Sequence, residues 1–151
     1  MTITLAIEKD IPELCQLLGY LFDQEAEFKQ DVEAQLRGLK IIIVTPEIGN
    51  ILVARKEGKI IAMISLLYSV STALGGRVCM LEDMVVAPEF RGSNSGTELL
   101  EYAIEHARKQ GVLRITLLTD QANEAAQRFY HRQGFSLSSM VPMRRLIPEV
   151  S

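Results

Sequence analysis

The sequence has few of the residues on which metal centres, disulfide frameworks and catalytic triads depend. It contains two cysteines, two histidines and no tryptophan in 151 residues. Cys15 and Cys79 lie far apart in apolar stretches, form no Cys-x-x-Cys pair and have no histidine at metal-ligand spacing. We interpret them as buried thiols of a protein from a reducing compartment. The sequence therefore predicts no metal site and offers little material for a Ser-His-Asp triad.

A large excess of charge of one sign and long apolar runs are also lacking. The formal net charge is −3, so no basic excess indicates binding to nucleic acid. No apolar stretch approaches the roughly 20 residues that a membrane span needs. The first residues have neither the basic nor the apolar region of a signal peptide. We expect a cytoplasmic protein with neither nucleic acid nor membrane among its partners.

The composition that remains is typical of a globular protein, with 48% hydrophobic and 23% charged residues. The length predicts one domain over residues 1–151 with a core of its own. A short strand at Ile3–Ile7 is followed by two helical patterns and a meander of three strands, and the last third alternates helix, strand and helix before extended residues through Leu146. This order predicts an α/β fold, with a central mixed sheet and helices on both of its faces.

A loop of small residues between a strand and a helix is the first candidate for chemistry. Its sequence is Arg91-Gly92-Ser93-Asn94-Ser95-Gly96-Thr97. Small residues allow backbone N–H groups to converge, and a helix N-terminus adds positive potential, so such a loop can hold phosphate oxygens. The absence of a Walker lysine and of Gly-x-Gly-x-x-Gly argues against a P-loop and a Rossmann site. A plain serine-capped turn is the alternative interpretation.

Two adjacent carboxylates, Glu82 and Asp83, interrupt the third strand of the meander. Because side chains alternate along a strand, we expect the two to face opposite sides of the sheet, and at least one to meet a covered face. Such a carboxylate could accept a proton, directly or through water. An ion pair at the end of the sheet is the alternative.

A helical pattern from Asn123 to Phe135 is the third candidate. Asn123 suits a helix N-cap, and Ala126, Phe129 and Tyr130 recur on one face. An aromatic pair at this spacing is usual in a core. Tyr130 is also a candidate proton donor, since the reference pKa of a phenol, about 10, lies above that of a thiol, about 8.5.

Taken together, the three segments resemble the GNAT superfamily of acyl-CoA-dependent N-acetyltransferases. Val86–Gly96 is similar to the family's pyrophosphate loop, Arg/Gln-x-x-Gly-x-Gly/Ala. Asn123–Phe135 resembles the family's later segment, Asn-x-x-Ala-x-x-Phe-Tyr-x-x-x-Gly-Phe. Leu81-Glu82-Asp83 matches the Leu-Glu-Asp start of the strand before the pyrophosphate loop in several small-molecule members. The resemblance implies the GNAT fold, whose sheet is mostly antiparallel, over the whole chain.

The resemblance also implies acetyl-CoA as co-substrate and specific residues to bind it. The amides from Gly92 to Thr97, with Arg91 beside them, would hold the pyrophosphate, and Asn123 would contact the cofactor arm. A backbone N–H near Val85 would polarise the thioester carbonyl. Pairing with the pantetheine amides is implied for the backbone groups of Met84, Val85 and Val86.

For catalysis, the resemblance implies direct attack of an amine on the thioester, without a covalent enzyme intermediate. Tyr130 would protonate the departing thiolate and Glu82 would be the general base, with Asp83 or water alone as alternatives. Asn94 stands where the family usually has a loop glycine, and Ser95 where it commonly has an apolar residue. Asparagine tolerates positive φ best among the other residues, so we predict a left-handed conformation for Asn94.

The resemblance implies that the acceptor is selected by the first two helices and nearby loops, where the sequence has an acidic bias. This bias favours a small cationic amine, such as a polyamine or an aminoalkyl compound. An acetyltransferase acting on a protein amine and a non-catalytic acyl-CoA-binding regulatory module are the alternatives. The apolar residues Met140–Met143 suit either a homodimer contact or a core strand. The acceptor candidates are Tyr20, Glu25, Glu27, Phe28 and Asp31.

Overall fold

A computed structural model describes residues 1–22 and 31–150 of the protein. The acceptor candidates Glu25, Glu27 and Phe28 lie outside the described residues. The chain forms two compact units, Met1–Asp120 and Gln121–Ser151. No helix within the described ranges is long and apolar enough to cross a membrane.

The first unit contains a five-stranded sheet. Its strands are β1 (Thr2–Leu5), β2 (Gly49–Lys56), β3 (Lys59–Ser71), β4 (Gly76–Val86) and β5 (Ile115–Leu117). The strands lie side by side in chain order, and the pairs are antiparallel except for the parallel pair of β4 and β5. The predicted mixed, mostly antiparallel sheet is confirmed.

Three helices of the first unit are α1 (Ile11–Phe22), α2 (Val32–Val44) and α3 (Ser95–Lys109). Helices α1 and α2 bury one apolar side with Val53 and Met63 of the sheet. Asn50 alternates along β2 with the residues that face α1, so its side chain lies on the opposite face of the sheet. His106 Nε2 of α3 is 2.9 Å from Asn50 Oδ1, which places α3 on that opposite face. Helices on both faces of the sheet are therefore confirmed.

A partly buried ion pair connects the start of α1 to β2. Arg55 Nη2 and Nη1 donate to Asp10 Oδ2 and Oδ1 at 2.6 and 3.1 Å, and the N–H of Ile7 donates to the same carboxylate at 2.9 Å. Burial raises the pKa of Asp10, but the hydrogen bonds from Arg55 and Ile7 outweigh it, so the net pKa lies below its ordinary value. This carboxylate is therefore held ionised at neutral pH.

The second unit contains helix α4 (Glu124–Arg132), which ends before Gly134 as the sequence predicts. The residues described beyond Gly134 form neither helix nor strand. Of the two roles that the sequence allows for Met140–Met143, a core strand is therefore not formed, and the apolar side chains of this stretch are exposed.

Candidate functional site

A β-bulge interrupts β4 at one of the predicted catalytic residues. Ser65 of β3 pairs with Asp83 whereas Leu66 pairs with Leu81, which makes Glu82 an extra residue. Glu82 is exposed. Asp83 is partly buried, and its N–H and Oδ2 both bond to the hydroxyl of Ser65, at 3.0 and 3.3 Å. The simple alternation expected from the sequence therefore does not hold here, and Glu82 is the carboxylate more open to solvent.

Beyond the bulge, β4 separates from β5. The two strands pair only between Cys79–Leu81 and Ile115–Leu117, whereas β4 stays paired with β3 as far as Val86. Among the described residues, the stretch Asp83–Val86 has no strand on its β5 side. Its outward main-chain groups are therefore open to an extended ligand that pairs as a strand would.

The pairing with β3 shows which groups point outward. The N–H of Ala87 donates to the carbonyl of Ile61 at 2.8 Å, so Ala87 faces β3. Because neighbours in an antiparallel ladder face alternate edges, Val85 shares this direction, while Met84 and Val86 face the open edge. The outward groups are thus those of Met84 and Val86.

The same edge can be followed on the other side of the bulge. There the N–H of Cys79 donates to the carbonyl of Arg114 at 3.0 Å, and the carbonyl of Arg77 accepts from Leu113 at 2.8 Å. Odd-numbered residues therefore face the β5 side before the bulge and even-numbered residues face it afterwards. The extra residue accounts for this change.

The loop that follows β4 has two left-handed residues. Gly92 has φ +79° and Asn94 has φ +71°, which confirms the predicted conformation of Asn94. Asn94 precedes α3 without capping it through its side chain. The first-turn N–H groups of a helix have no partner within the helix, so those of Ser95, Gly96 and Thr97 are available for another acceptor.

The side chains of the loop add further polar groups to its main-chain donors. Arg91 is exposed, and its Nε donates to the carbonyl of Val86 at 3.2 Å, so the guanidinium lies beside the end of β4. The hydroxyls of Ser93 and Ser95 are 2.9 Å apart, and that of Ser93 also bonds to the carbonyl of Phe90. Main-chain donors, a guanidinium and a helix N-terminus form a donor set suited to phosphate oxygens.

In the second unit, α4 carries the other two predicted site residues. The side chain of Asn123 accepts from the N–H of Ala126 at 3.1 Å, which confirms it as the N-cap. The ring of Tyr130 lies edge-on to those of Phe129 and Phe135, with centroids 5.3 and 5.7 Å apart. Burial raises the pKa of Tyr130 to about 12, so its hydroxyl stays protonated at neutral pH.

The described ranges, 1–22 and 31–150, contain no group of three or more His, Cys, Asp or Glu placed to hold a metal ion. Asp31, one of the acceptor candidates, accepts from the N–H of Ala34 at 3.1 Å and so caps α2. Tyr20 lies exposed on α1.

Comparison with known proteins gives consistent matches. The sequence profile of the acetyltransferase (GNAT) family matches residues 15–135. The chain is 30% identical to an aminoalkylphosphonate N-acetyltransferase of Salmonella typhimurium, over 83% of this chain and 75% of that protein. It is also 30% identical to the uncharacterised N-acetyltransferase YhfO of Bacillus subtilis, over 76% and 78% of the two chains.

Solved structures share the fold. An integron cassette protein from the mobile metagenome of Cole Harbour salt marsh superimposes with a TM-score of 0.83 at 26% identity, covering 97% of this chain and 91% of that one. The family match includes the β4 strand, the Arg91–Thr97 loop and α4, which carry the predicted site residues. The chain therefore belongs to the acetyltransferase (GNAT) family, the acyl-CoA-dependent N-acetyltransferases.

Proposed function

We propose that the protein transfers an acetyl group from acetyl-CoA to the primary amine of a small aminoalkyl compound. The observation that carries this proposal is the open edge of β4, which runs directly into the Arg91–Thr97 loop. An extended amide-containing chain that ends in a pyrophosphate is complementary to this edge and loop. The family match continues past residue 120, which supports one acetyltransferase domain over residues 1–151.

The roles proposed for the binding residues are those that the family resemblance implies, and the geometry supports them as follows. The N–H and carbonyl of Met84 and the N–H of Val86, whose carbonyl already accepts from Arg91, are the groups proposed to pair with the pantetheine amides. One of these two N–H groups polarises the thioester carbonyl, because that of Val85 is directed to β3. Arg91 and the N–H groups of the loop bind the pyrophosphate. Asn123 uses Oδ1 as a helix cap, so its Nδ2–H₂ group is the donor toward the cofactor arm.

The reaction is a direct transfer in which the N–C bond forms as the C–S bond breaks. The amine nitrogen loses a proton to Glu82, directly or through water, and the sulfur gains one from Tyr130. Asp83 is the weaker candidate for the base because its carboxylate accepts from Ser65. Tyr130 suits the acid because a phenol with a pKa of about 12 keeps its proton throughout the usual assay range.

The acceptor class rests on a relative and on the sequence. The Salmonella typhimurium relative is named for aminoalkylphosphonates, which are small aminoalkyl compounds. This agrees with the aminoalkyl class that the acidic bias favours, although Asp31 is occupied as a helix cap.

Release of free CoA thiol with a panel of amines tests the proposal. The panel contains an aminoalkylphosphonate, a polyamine, a simple alkylamine and a peptide with a free N-terminus, and mass spectrometry identifies the acetylated product. We expect turnover with the aminoalkyl compounds. Turnover confined to the peptide would contradict the acceptor class. Calorimetric binding of acetyl-CoA without turnover of any amine would favour the non-catalytic binding module.

A further inference from the structure

A buried hydroxyl, that of Ser65 in β3, lies opposite the bulge in β4. Ser65 is 1% exposed, and its neighbours Ile64 and Leu66 are fully buried. Moving a hydroxyl from water into such apolar surroundings is unfavourable unless the hydroxyl is hydrogen-bonded. The bonds that this hydroxyl forms therefore account for a serine in the middle of an apolar strand.

The hydroxyl of Ser65 uses its donor and its acceptor function on the same residue. The N–H of Asp83 donates to Ser65 Oγ at 3.0 Å, and the hydroxyl proton of Ser65 is donated to Asp83 Oδ2 at 3.3 Å. Ser65 therefore holds the main chain and the carboxylate of Asp83 together.

The bulge directs two successive main-chain N–H groups toward β3. Even-numbered residues of β4 face β3 before the bulge and odd-numbered residues face it afterwards, so both Glu82 and Asp83 face that strand. Both lie against Ser65, at a point where the regular ladder is interrupted. Ser65 has one main-chain carbonyl, and its hydroxyl adds a second acceptor for this pair of donors.

The peptide that Ser65 holds connects residues on which the proposed transfer depends. It joins Glu82, the proposed base, to Asp83, and the next peptide carries the N–H of Met84, one of the two donors proposed for the thioester carbonyl. Because a peptide is planar, a fixed N–H direction also fixes the two Cα atoms beside it. Loss of the bond would release both groups, and a displacement of about 1 Å can lower a rate roughly 10²-fold.

We propose that Ser65 is a positioning residue for the acetyl transfer, whose hydroxyl holds the bulge so that the Glu82 carboxylate and the Met84 N–H keep their places at the open edge of β4. Because Ser65 is buried, it acts through Asp83 and not on the reacting atoms. This inference rests on the proposed function.

Three variants of Ser65 and one control separate positioning from packing. Ser65→Ala removes the hydroxyl, Ser65→Cys keeps a similar volume with a weak hydrogen-bonding group, and Ser65→Thr keeps the hydroxyl. Ser71→Ala is the matched control at the end of the same strand, where the hydroxyl of Ser71 accepts from the N–H of Leu74 at 3.1 Å.

Steady-state kinetics with an amine that the wild type acetylates, together with calorimetry of acetyl-CoA, provide the first measurement. We expect Ser65→Ala and Ser65→Cys to lower kcat by roughly 10–100-fold but to raise the dissociation constant of acetyl-CoA by less than about 3-fold, because the Arg91–Thr97 loop is unchanged. Ser65→Thr and Ser71→Ala should keep kcat within about 3-fold of the wild type.

The outcomes distinguish this inference from the proposed function. If the wild type acetylates an amine and Ser65→Ala keeps the same kcat, the inference is overturned and the proposed function stands. An equal loss of kcat in Ser65→Thr, or a loss matched by weaker acetyl-CoA binding, would make Ser65 a packing residue and overturn the inference as well. A wild type that acetylates no amine overturns both.

Hydrogen exchange of the Asp83 amide, followed by NMR, gives a second measurement that does not depend on turnover. We expect exchange to be at least about 5-fold faster in Ser65→Ala than in the wild type and unchanged in Ser71→Ala, because only the first variant removes the acceptor of this N–H. Ser65→Cys provides the same comparison if the alanine variant does not fold. Wild-type exchange in a folded variant that lacks the hydroxyl would overturn the inference.

Discussion

Two left-handed residues of the Arg91–Thr97 loop allow a test of its backbone geometry in which the volume of the substituted side chain plays little part. A Cβ added to Gly92, at φ +79°, would meet no atom within 4 Å, so Gly92→Ala changes only the conformational preference. A left-handed conformation costs an ordinary L-residue about 1–2 kcal/mol. Asn94→Val is the harsher change, because a β-branched residue is a severe outlier at φ +71°.

This conformational free energy sets the expected loss of acetyl-CoA affinity. If binding requires the left-handed loop, a penalty of about 1–2 kcal/mol raises the dissociation constant by up to about 5–30-fold, and Asn94→Val raises it further. Asn94→Gly removes strain of about 1 kcal/mol, but it also raises the entropy of the free loop by a similar amount. We therefore expect its affinity to equal or slightly exceed that of the wild type.

Gly58 provides a matched control in the turn between β2 and β3. It has φ +76° and no atom within 4 Å of an added Cβ, so Gly58→Ala carries the same strain away from the loop. We expect Gly58→Ala to lower the melting temperature by about 2–8 °C for a chain of this length, and Gly92→Ala to lower it less, because a loop that relaxes in the free protein takes on the strain only when acetyl-CoA binds. Only Gly92→Ala should weaken acetyl-CoA binding by calorimetry.

The reasoning fails if Gly92→Ala and Asn94→Val both keep wild-type affinity while the melting temperature falls as in the control. In that case the left-handed geometry contributes to the stability of the fold alone, and the binding of acetyl-CoA does not depend on the converging N–H groups of the loop.

Three further predictions concern the proposed acid, the proposed base and the partly buried ion pair. Tyr130→Phe should lower kcat by about 10²–10⁴-fold with unchanged acetyl-CoA binding. The control variant Tyr102→Phe, at an exposed tyrosine of α3, should leave kcat unaltered. Normal turnover by Tyr130→Phe would make Tyr130 a packing residue. Glu82→Gln should reduce the rate most at low pH, where free amine is scarce, and an unchanged pH–rate profile would instead direct attention to Asp83. Asp10→Asn should lower the free energy of unfolding by about 2 kcal/mol at neutral pH, measured in urea. Since the folded-state pKa of Asp10 is depressed, this difference should shrink as the pH falls below the ordinary value of 3.8 and be lost as the pH passes the lower folded-state pKa. A difference that stayed constant with pH would rule out the ionised pair as its source.

Residue patterns were sufficient to predict much of the sheet and the turns. The alternation in β1 and the turn at Glu57–Gly58 depend on local preferences, which a sequence records directly. The left-handed Asn94 was predictable for the same reason, because asparagine is the residue that replaces glycine there most easily.

The bulge at Glu82 was not predictable in this way. A glutamate carries no preference for a bulge, and the extra residue appears only when Ser65 and Leu66 are aligned with their partners on β4. The family resemblance implied a thioester-polarising N–H near Val85, and the observed pairing leaves Met84 and Val86 as the proposed donors, because the N–H of Val85 is directed to β3. Register depends on contacts between distant segments, which no short window of sequence contains.

Position 82 therefore contributes through its existence as well as through its side chain. A substitution there changes only chemistry, since the number of residues in β4 stays the same. Without the bulge, but with every residue kept, uninterrupted alternation would direct the amide of Val85, rather than those of Met84 and Val86, to the open edge. Deletion of Glu82 would remove the bulge and still leave Met84 and Val86 facing that edge, so the register with β3, and not the side chains themselves, decides which main-chain atoms are offered there.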